Sequence, residues 1–266
     1  MPMATYVISD VHGQFCAFIS LLEKIGFGST DQLYVLGDII DRGPETGLMV
    51  NYAMNRATPN IHFLRGNHED MALSFYQGTD PYNIWFMNDG INSHNQIMVE
   101  LENNMPKDEF IDWVKGLKPY AITYVNGRPW MLVHAAIDPS QVNPKVPAYI
   151  PTADYNMMRK TFDLTEYGLG FQASEIMLWG REDYLNWNEK APIPIVSGHT
   201  SVQSRAFKFP RTRVTWTQNT RGEGHIRRYK NRFCIDCGAG HADYYKHAYV
   251  AALRLDDLAE FYVEVN

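Results

Sequence analysis

Short apolar runs alternate with segments of helical periodicity through the first third of the chain. Three runs, Thr5 to Ser9, Gln32 to Leu36 and Ile61 to Arg65, have the length and residue types of buried strands. Apolar residues recur at helical spacing over Phe15 to Ile25, and Gly43-Pro44 opens a second helix before the third run. The predicted order is therefore βαβαβ, and such crossovers favour a parallel sheet in an α/β fold.

The remainder of the chain changes its pattern twice. From Asp70 to about Lys118 the periodicity is helical but less regular, so we expect a helical cap or insertion over about residues 70–118. A second helical segment is expected over about Tyr155 to Trp179, and Asn126-Gly127 suits a tight hairpin turn. The remaining apolar runs are predicted to be strands: Tyr120 to Val125, Trp130 to Val133, Ile193 to Ser197, Arg205 to Phe209, Arg213 to Thr217, His225 to Tyr229, Phe233 to Asp236, His247 to Leu255 and Glu260 to Val265.

The composition indicates a folded globular protein. The 266 residues include 45% hydrophobic and 20% charged residues, with a net charge of −6, which excludes a disordered chain. The length fits one α/β domain, and we expect a single domain over residues 1–266. Three cysteines are too few for a disulfide framework, and no apolar run is long enough to span a membrane. We therefore expect a cytoplasmic, monomeric protein with no membrane partner.

Five of the predicted strands end beside residues that can bind a metal ion. In open α/β sheets, ligands bind just beyond the carboxyl ends of the strands, so we expect these side chains to converge on one site. The five strand ends are Asp10-Val-His12-Gly13, Gly37-Asp38, Gly66-Asn67-His68-Glu69, His134-Ala135 and Gly198-His199.

The candidate ligands combine carboxylate, amide and imidazole groups. This mixture favours manganese, iron or zinc over magnesium or calcium. Six protein ligands are too many for one catalytic ion, but they suit two ions that share one carboxylate, and Asp38 is the natural bridge. We expect two divalent ions, Mn²⁺ first and Fe or Zn as alternatives, bound by Asp10, His12, Asp38, Asn67, His134 and His199.

Two arginines beside these motifs indicate an anionic substrate. Arg42 follows Asp38 within one turn, and Arg181 lies in the segment Leu178-Trp179-Gly180-Arg181. Guanidinium groups next to metal ions bind oxyanions, of which phosphate is the commonest. We therefore expect both arginines to bind the phosphate of the substrate.

His68 is the candidate general acid. It directly follows the candidate ligand Asn67, so its ring can lie near the leaving group without binding a metal. Either Asp41 or Glu69 could accept its other N–H and keep it protonated. Together with the metals and the arginines, this residue indicates metal-assisted phosphoester hydrolysis.

Three blocks, Asp10-Val-His12-Gly13, Gly37-Asp38-Ile-Ile-Asp41-Arg42-Gly43 and Gly66-Asn67-His68-Glu69, resemble the signature blocks of the phosphoprotein phosphatase family of calcineurin-like metallophosphoesterases. His134 and Gly198-His199-Thr200 resemble the two downstream histidines of that family. The closest resemblance is to bacterial and phage protein phosphatases and to hydrolases of symmetrical dinucleoside tetraphosphates. The resemblance implies a central sandwich of two mixed β-sheets flanked by helices.

The resemblance also implies a role for each residue. Arg42 and Arg181 would bind phosphate, and His68, paired with Asp41, would protonate the leaving oxygen. The first metal would be held by Asp10, His12 and Asp38, and the second by Asp38, Asn67, His134 and His199. Two segments depart from the family pattern, Asn88-Asp89-Gly90 and Asp236-Cys237-Gly238, and both are expected near the substrate.

Three functions fit these residues. The first is a protein-serine/threonine phosphatase in which a metal-bridging hydroxide attacks phosphorus in line, with a phosphoprotein as substrate. The second is a pyrophosphohydrolase that splits dinucleoside polyphosphates or RNA ends. The third is a phosphoprotein-binding scaffold without turnover, and the complete set of ligands, arginines and His68 argues against it. We expect no stable nucleic-acid partner.

The segment Thr200 to Arg232 is strongly basic. It contains nine Lys and Arg residues against one acid, Glu223. Such a segment is either a solvated strand face or a surface that steers an anionic substrate to the site.

Overall fold

A computed structural model describes residues 3–103, 106–142, 161–208, 214–218 and 223–265. The N-terminal elements follow the predicted order: β1 (Thr5–Ile8), α1 (Phe15–Ile25), β2 (Gln32–Val35), α2 (Thr46–Asn51) and β3 (Ile61–Phe63). One π-helical turn, Tyr52–Arg56, prolongs α2. The three strand predictions for this part of the chain are confirmed, although each strand ends slightly before its apolar run does.

Helices fill the segment that follows β3, where the sequence predicts a helical cap. They are α3 (Asn67–Tyr76), α4 (Ile84–Met87), α5 (Gly90–Asn103) and α6 (Lys107–Gly116). Aromatic side chains hold them together, because the fully buried ring of Trp85 in α4 packs against Phe75 and Tyr76 of α3. Among the described residues, no helix is long and apolar enough to cross a lipid bilayer.

The C-terminal half is rich in short strands, as predicted. Its elements are β4 (Tyr120–Val125), β5 (Arg128–Val133), β6 (Thr161–Asp163), β7 (Phe171–Ala173), α7 (Ser174–Trp179), α8 (Glu182–Asn186), β8 (Ile195–Ser197), α9 (Arg205–Lys208), β9 (Thr217–Gln218), β10 (Arg227–Tyr229), β11 (Arg232–Cys234), β12 (Tyr249–Arg254) and β13 (Glu260–Glu264).

The predicted helix over Tyr155 to Trp179 is largely wrong. Residues 155–160 lie outside the described part of the chain. Of the described residues, 161–173 form the hairpin of β6 and β7, with one 3-10 turn at Thr165–Tyr167 between the strands, and the last six residues are α-helical. The connection between these strands contains Gly168 and Gly170 with left-handed backbone, φ 72° and 66°. A helix cannot continue through two such residues.

The strand predicted for Arg205 to Phe209 is also wrong. Residues 205–208 form α9, because the hydroxyl of Ser204 accepts the backbone N–H of Ala206 and caps the start of the helix. Residues 209–213 lie outside the described part of the chain, and Thr217, the last residue of the next predicted strand, opens β9.

The strands form two mixed sheets. The first has the order β13-β12-β1-β2-β3, in which β1, β2 and β3 are parallel and β12 is antiparallel to β1. The second has the order β4-β5-β8-β11-β10-β9, in which β5, β8 and β11 are parallel. Asn126 and Gly127 join β4 to β5 with φ values of 52° and 74°, as a tight hairpin turn requires. The predicted fold class is confirmed.

Alternation of side chains along β1 explains how the layers pack. Tyr6 and Ile8 point to one face and join a core that the helices α1 and α2 complete. Val7 points to the other face and joins a core with Val196 of β8. Strand β12 repeats this alternation. The first sheet is therefore covered by helices on one face and by the second sheet on the other.

This arrangement brings the candidate strand ends together. The parallel strands β1, β2 and β3 end at the same edge of the first sheet, and β5 and β8 end at the same edge of the second. The two edges touch, because the backbone N–H of His199, after β8, is within 3.0 Å of the Asp10 carboxylate, after β1.

Arg232, the first residue of β11, anchors the outer part of the second sheet. Its buried guanidinium lies 4.9 to 5.2 Å from the ring centres of Tyr184, Trp187, Trp216 and Tyr229. It also donates hydrogen bonds to the backbone carbonyls of Tyr184 and Trp187. Cation–π attraction and charged hydrogen bonds thus replace hydration of the buried cation.

The basic segment does not present all of its arginines to solvent. Besides Arg232, Arg228 pairs with Glu260 at 2.6 Å, and Arg227 donates to the carbonyl of Val202 at 2.6 Å. These three arginines bond groups of the protein itself, so they fit neither a fully solvated strand face nor a surface that is free to steer a substrate.

We predict that Arg232→Met lowers the free energy of unfolding by about 2–4 kcal/mol, because it removes a desolvated cation–π contact and leaves two buried carbonyls without donors. Urea unfolding measures this change. Arg254→Met is the matched control, since Arg254 pairs with the exposed Asp257, and we expect a loss below about 1 kcal/mol. Equal losses in the two variants would contradict the anchoring role.

Candidate metal centre

All ten predicted site residues lie where the edge of the first sheet touches the edge of the second. Direct contacts connect them there. Two groups of side chains bring their ligand atoms within 4.8 Å of one another. One group is His12, Asp38 and His68, and the other is Asp38, His134 and His199. Asp38 belongs to both groups, which is the position predicted from the sequence for the bridging carboxylate.

Asn67 completes the second group. Its Oδ1 lies 2.9 Å from Nε2 of His134 and 2.9 Å from Nδ1 of His199. The two ring nitrogens are 3.2 Å apart, and Oδ1 of Asp38 lies 3.5 Å from Nε2 of His134. Four potential ligand atoms, which follow β2, β3, β5 and β8, therefore occupy one small volume.

Asp10 links the two sheets at the site. Its two carboxylate oxygens lie 3.0 and 2.9 Å from the backbone N–H of His199, and one of them accepts the hydroxyl of Ser9. The resemblance places Asp10 with His12 and Asp38, whereas the compact group in the structure contains His68 in its place. Asp10 is close enough to act on Asp38 through its charge.

Two histidines present an unprotonated ring nitrogen to the site. Nδ1 of His12 lies 2.9 Å from the carbonyl of Ile40, and Nδ1 of His134 lies 2.8 Å from that of Leu36. A carbonyl oxygen only accepts, so Nδ1 carries the proton in both rings and Nε2 keeps its lone pair. Metal-binding histidines are held by backbone carbonyls in this way.

Burial disfavours charge on the acids and imidazoles of the site. It raises the pKa of Asp10 and of Asp38 well above the usual range, and in each case a neighbouring carboxylate adds to the shift, Asp236 for Asp10 and Asp10 for Asp38. It lowers the pKa of His134 to about 3 and that of His12 well below its usual range. Neutral imidazoles can donate a lone pair to a metal ion, and buried carboxylates require a nearby positive charge to stay ionised. Both properties fit a site for divalent metal ions.

Backbone strain is concentrated at the same residues. Six of the ten candidates have φ between 48° and 72°, the left-handed region that side chains other than glycine rarely adopt: Asp10, His12, Asp38, Asp41, Arg42 and His199. Such strain persists only where the surrounding structure enforces it, and it is typical of functional sites. The tight loops after β1, β2 and β8 therefore serve to aim these side chains.

Asp41 is the partner of His68. The sequence leaves Asp41 and Glu69 as alternatives, and the structure places Oδ2 of Asp41 2.5 Å from Nδ1 of His68. Glu69 instead accepts the backbone N–H groups of Gly66, Asp38 and Ile39 at 2.8 to 2.9 Å. It thereby ties the loop after β2 to the loop after β3.

Two further acids contribute to the site: Glu69, which the sequence offers only as an alternative partner of His68, and Asp236, which lies in a segment expected near the substrate. Glu69 is the third residue after Gly66, which precedes α3, and acids at that position often bond the start of a helix, so the signal was present in the sequence. Asp236 follows β11 and lies near Asp10, and it is buried. Its position after a strand is the same signal that marks the candidate ligands.

Both predicted arginines lie against the ligand groups. Nη1 of Arg42 is 2.9 Å from Nε2 of His12, and its Nη2 is 3.1 Å from Nε2 of His68. Nε of Arg181 is 2.9 Å from Nε2 of His199. Asp89, from one of the segments that depart from the family pattern, lies 3.8 Å from Nε of Arg42.

A cleft of about 620 Å³ opens beside Arg42. Its walls include Phe86, Asn92, Asn95 and His241. A larger cleft of about 1260 Å³ lies between β3 and β4, and none of the ten candidate residues lines it. Of these two clefts, the one beside Arg42 therefore borders the candidate site.

Comparison with known proteins agrees with this geometry. A family model for calcineurin-like phosphoesterases matches residues 3–236. The symmetrical bis(5'-nucleosyl)-tetraphosphatase of Delftia acidovorans is 30% identical over 149 residues, 55% of this chain and 49% of that protein. The enzyme of the same name from Erwinia tasmaniensis is 30% identical over 139 residues, 52% of this chain and 46% of that protein. The chain thus spans about half the length of these curated relatives.

A solved structure shows the same fold over almost the whole chain. The crystal structure of a candidate diadenosine tetraphosphatase superposes with a TM-score of 0.54 and 16% identity, covering 98% of this chain and 93% of that one. The family match over residues 3–236, the two mixed sheets and the converging acids and histidines lead to one conclusion. The chain is a member of the calcineurin-like phosphoesterase family.

Proposed function

We propose that this metallophosphoesterase hydrolyses nucleotide polyphosphates of the dinucleoside tetraphosphate class at a binuclear metal centre. The observation that carries the hydrolytic part is the convergence of Asp38 with both groups of potential ligands. The substrate class is supported by the curated relatives, which are named symmetrical bis(5'-nucleosyl)-tetraphosphatases.

In this proposal Asp10, His12, Asp38, Asn67, His134 and His199 hold two divalent cations, for which Mn²⁺ is the first choice. Such cations supply Lewis-acid activation of water and of the phosphoryl group when they are bound. Arg42 and Arg181 bind the non-bridging phosphate oxygens by charged hydrogen bonds. His68, held by Asp41 through Nδ1, passes a proton from Nε2 to the leaving oxygen.

The cleft beside Arg42 gives this substrate class a place for a nucleoside. Its volume of about 620 Å³ is in the usual range for small-molecule sites. Phe86 offers an aromatic face on which a base can stack, and the amides of Asn92 and Asn95 offer hydrogen bonds to a base edge.

A second candidate function is a protein-serine/threonine phosphatase, and two observations favour it. The pair of His68 and Asp41 is most useful for a strongly basic alkoxide leaving group, which a serine or threonine ester has. Asp89 also places a negative charge 3.8 Å from Arg42, which disfavours a substrate with several phosphates.

Metal binding is expected to stabilise the protein more strongly as the pH rises. Burial raises the pKa of Asp10 and Asp38 in the folded state, so these two carboxyl groups bind more protons in the metal-free folded protein than in the unfolded chain, and their contribution to stability falls as the pH rises above about 4. Bound cations displace these protons and so prevent this loss of stability at higher pH. We therefore predict that Mn²⁺ added to chelator-treated protein raises Tm at pH 8 by more than at pH 5.

Two histidine variants control this thermal experiment. His134→Ala removes a proposed ligand and should abolish most of the rise in Tm caused by Mn²⁺. His62→Ala removes a half-buried histidine that bonds Gln32, outside the site, and should leave the rise unchanged. A rise of equal size in the two variants would exclude the proposed ligand set.

The role of His68 predicts a dependence on the leaving group. His68→Ala should lower kcat by about 10²–10⁴ for alkyl phosphates, whose leaving group needs a proton, and much less for para-nitrophenyl phosphate. The control His247→Ala removes a histidine that pairs with Glu264 at the surface, and it should leave kcat on both substrates unchanged. Equal losses of His68→Ala on both substrates would argue that His68 is not the acid.

The substrate class is tested by comparing kcat/KM for diadenosine tetraphosphate with values for phosphoserine, phosphothreonine and phosphotyrosine peptides and for a triphosphorylated RNA. We expect diadenosine tetraphosphate to be preferred over the peptides by more than about a hundredfold, a difference of about 2.7 kcal/mol in transition-state binding. Asp38→Asn protein, purified identically, controls for contaminating phosphatases. Preference for phosphoserine or phosphothreonine peptides would establish the second candidate instead.

A further inference from the structure

Trp85 connects the helices that follow β3 to the proposed acid pair. Its indole Nε1–H donates to Oδ2 of Asp41 at 2.8 Å, and the same oxygen accepts Nδ1–H of His68 at 2.5 Å. Asp41 and Trp85 are both fully buried. The two donors therefore meet at one carboxylate oxygen that water does not reach.

Trp85 is one of few groups that fix the Asp41 carboxylate. Among the described residues, Oδ1 of Asp41 has no hydrogen-bond partner. The other bond at this residue, from its backbone N–H to Thr46 Oγ1 at 3.2 Å, orients the main chain and not the carboxylate. Rotation of the carboxylate about its own axis is thus opposed by the Nε1–H of Trp85 and by the imidazole that Asp41 itself holds.

The indole is held rigidly from two sides. The carboxylate of Asp80 accepts the backbone N–H groups of Ile84 and Trp85 at 2.9 and 3.2 Å, which fixes the start of α4. The first residue of α5 is Gly90, and a Cβ atom there would lie 2.6 Å from the indole ring. Only glycine lets α5 begin this close to Trp85, which gives a physical reason for the glycine in Asn88-Asp89-Gly90.

We propose that Trp85 is a positioning residue: its indole N–H fixes Asp41 so that Asp41 holds the His68 ring in the orientation required for proton transfer to the leaving group. The inference rests on the proposed role of His68 as general acid. It gives the helical segment after β3 a part in catalysis, because a displacement of α4 changes the hydrogen bonding of the acid pair. Trp85 itself acts through Asp41 and does not touch the substrate.

The first test is the variant Trp85→Phe, which keeps an aromatic ring and removes the N–H donor. We expect kcat for an alkyl phosphate to fall about tenfold, part of the 10²–10⁴ that a general acid contributes, with KM and the rate on para-nitrophenyl phosphate within about threefold of the wild type. In the His68→Ala background the same substitution should have no further effect on kcat, since its route of action is gone. The matched control is Trp113→Phe, at a partly buried tryptophan of α6, and it should leave kcat on both substrates unchanged.

A second measurement does not depend on activity. The Nε1–H signal of Trp85, assigned in a ¹⁵N–¹H spectrum by its loss in Trp85→Phe, should lie downfield because it donates to a buried carboxylate, and it should move upfield in Asp41→Asn. An unchanged signal in Asp41→Asn would overturn the hydrogen bond on which the inference rests.

The activity outcomes separate this inference from the proposed function. Suppose that His68→Ala shows the leaving-group dependence. If Trp85→Phe then lowers kcat equally on both substrates, or lowers kcat further in the His68→Ala background, Trp85 has only a packing role and the inference is wrong. If His68→Ala itself shows no leaving-group dependence, the acid role fails, and the positioning role fails with it.

Discussion

The structure depends on one electrostatic constraint, the burial of several carboxylates at the edge where two sheets meet. Asp10, Asp38, Glu69 and Asp236 are buried within this region, and burial raises the pKa of each of them. Desolvated negative charge is tolerated only where donors or cations compensate it. Much of the local architecture supplies that compensation: backbone N–H groups bond Asp10 and Glu69, and two arginines lie over the imidazoles.

The sandwich is what allows these charges to meet. The ligand atoms follow strands of both sheets, so no single sheet holds a complete site. Asp10 closes the junction by bonding the backbone of His199 across the two edges, and Glu69 closes the neighbouring junction between the loops after β2 and β3. The same acids therefore organise the loops and define the electrostatics of the site, which explains why strained backbone and buried charge coincide there.

The sequence was most informative where the signal is local. Strand β1 and helix α1 follow from short-range periodicity, and the six predicted metal ligands lie together because each follows a parallel strand, and the carboxyl ends of such strands share an edge of the sheet. The predicted helix is wrong over residues 161–173, because apolar spacing does not reveal the left-handed backbone of Gly168 and Gly170. The bond between Trp85 and Asp41 joins positions 44 apart, and no spacing rule connects a helix after β3 to the loop after β2.

The central position of β1 in its sheet has a consequence for biosynthesis. One neighbour, β2, is translated soon after it, whereas β12 lies near the other end of the chain, and the backbone of Thr5 bonds the side chain of Asp256, 251 positions away. On the ribosome, one edge of β1 thus stays open until β12 has been synthesised. An open apolar edge is a template for pairing with other chains, so the nascent polypeptide is exposed to such pairing until translation has passed β12.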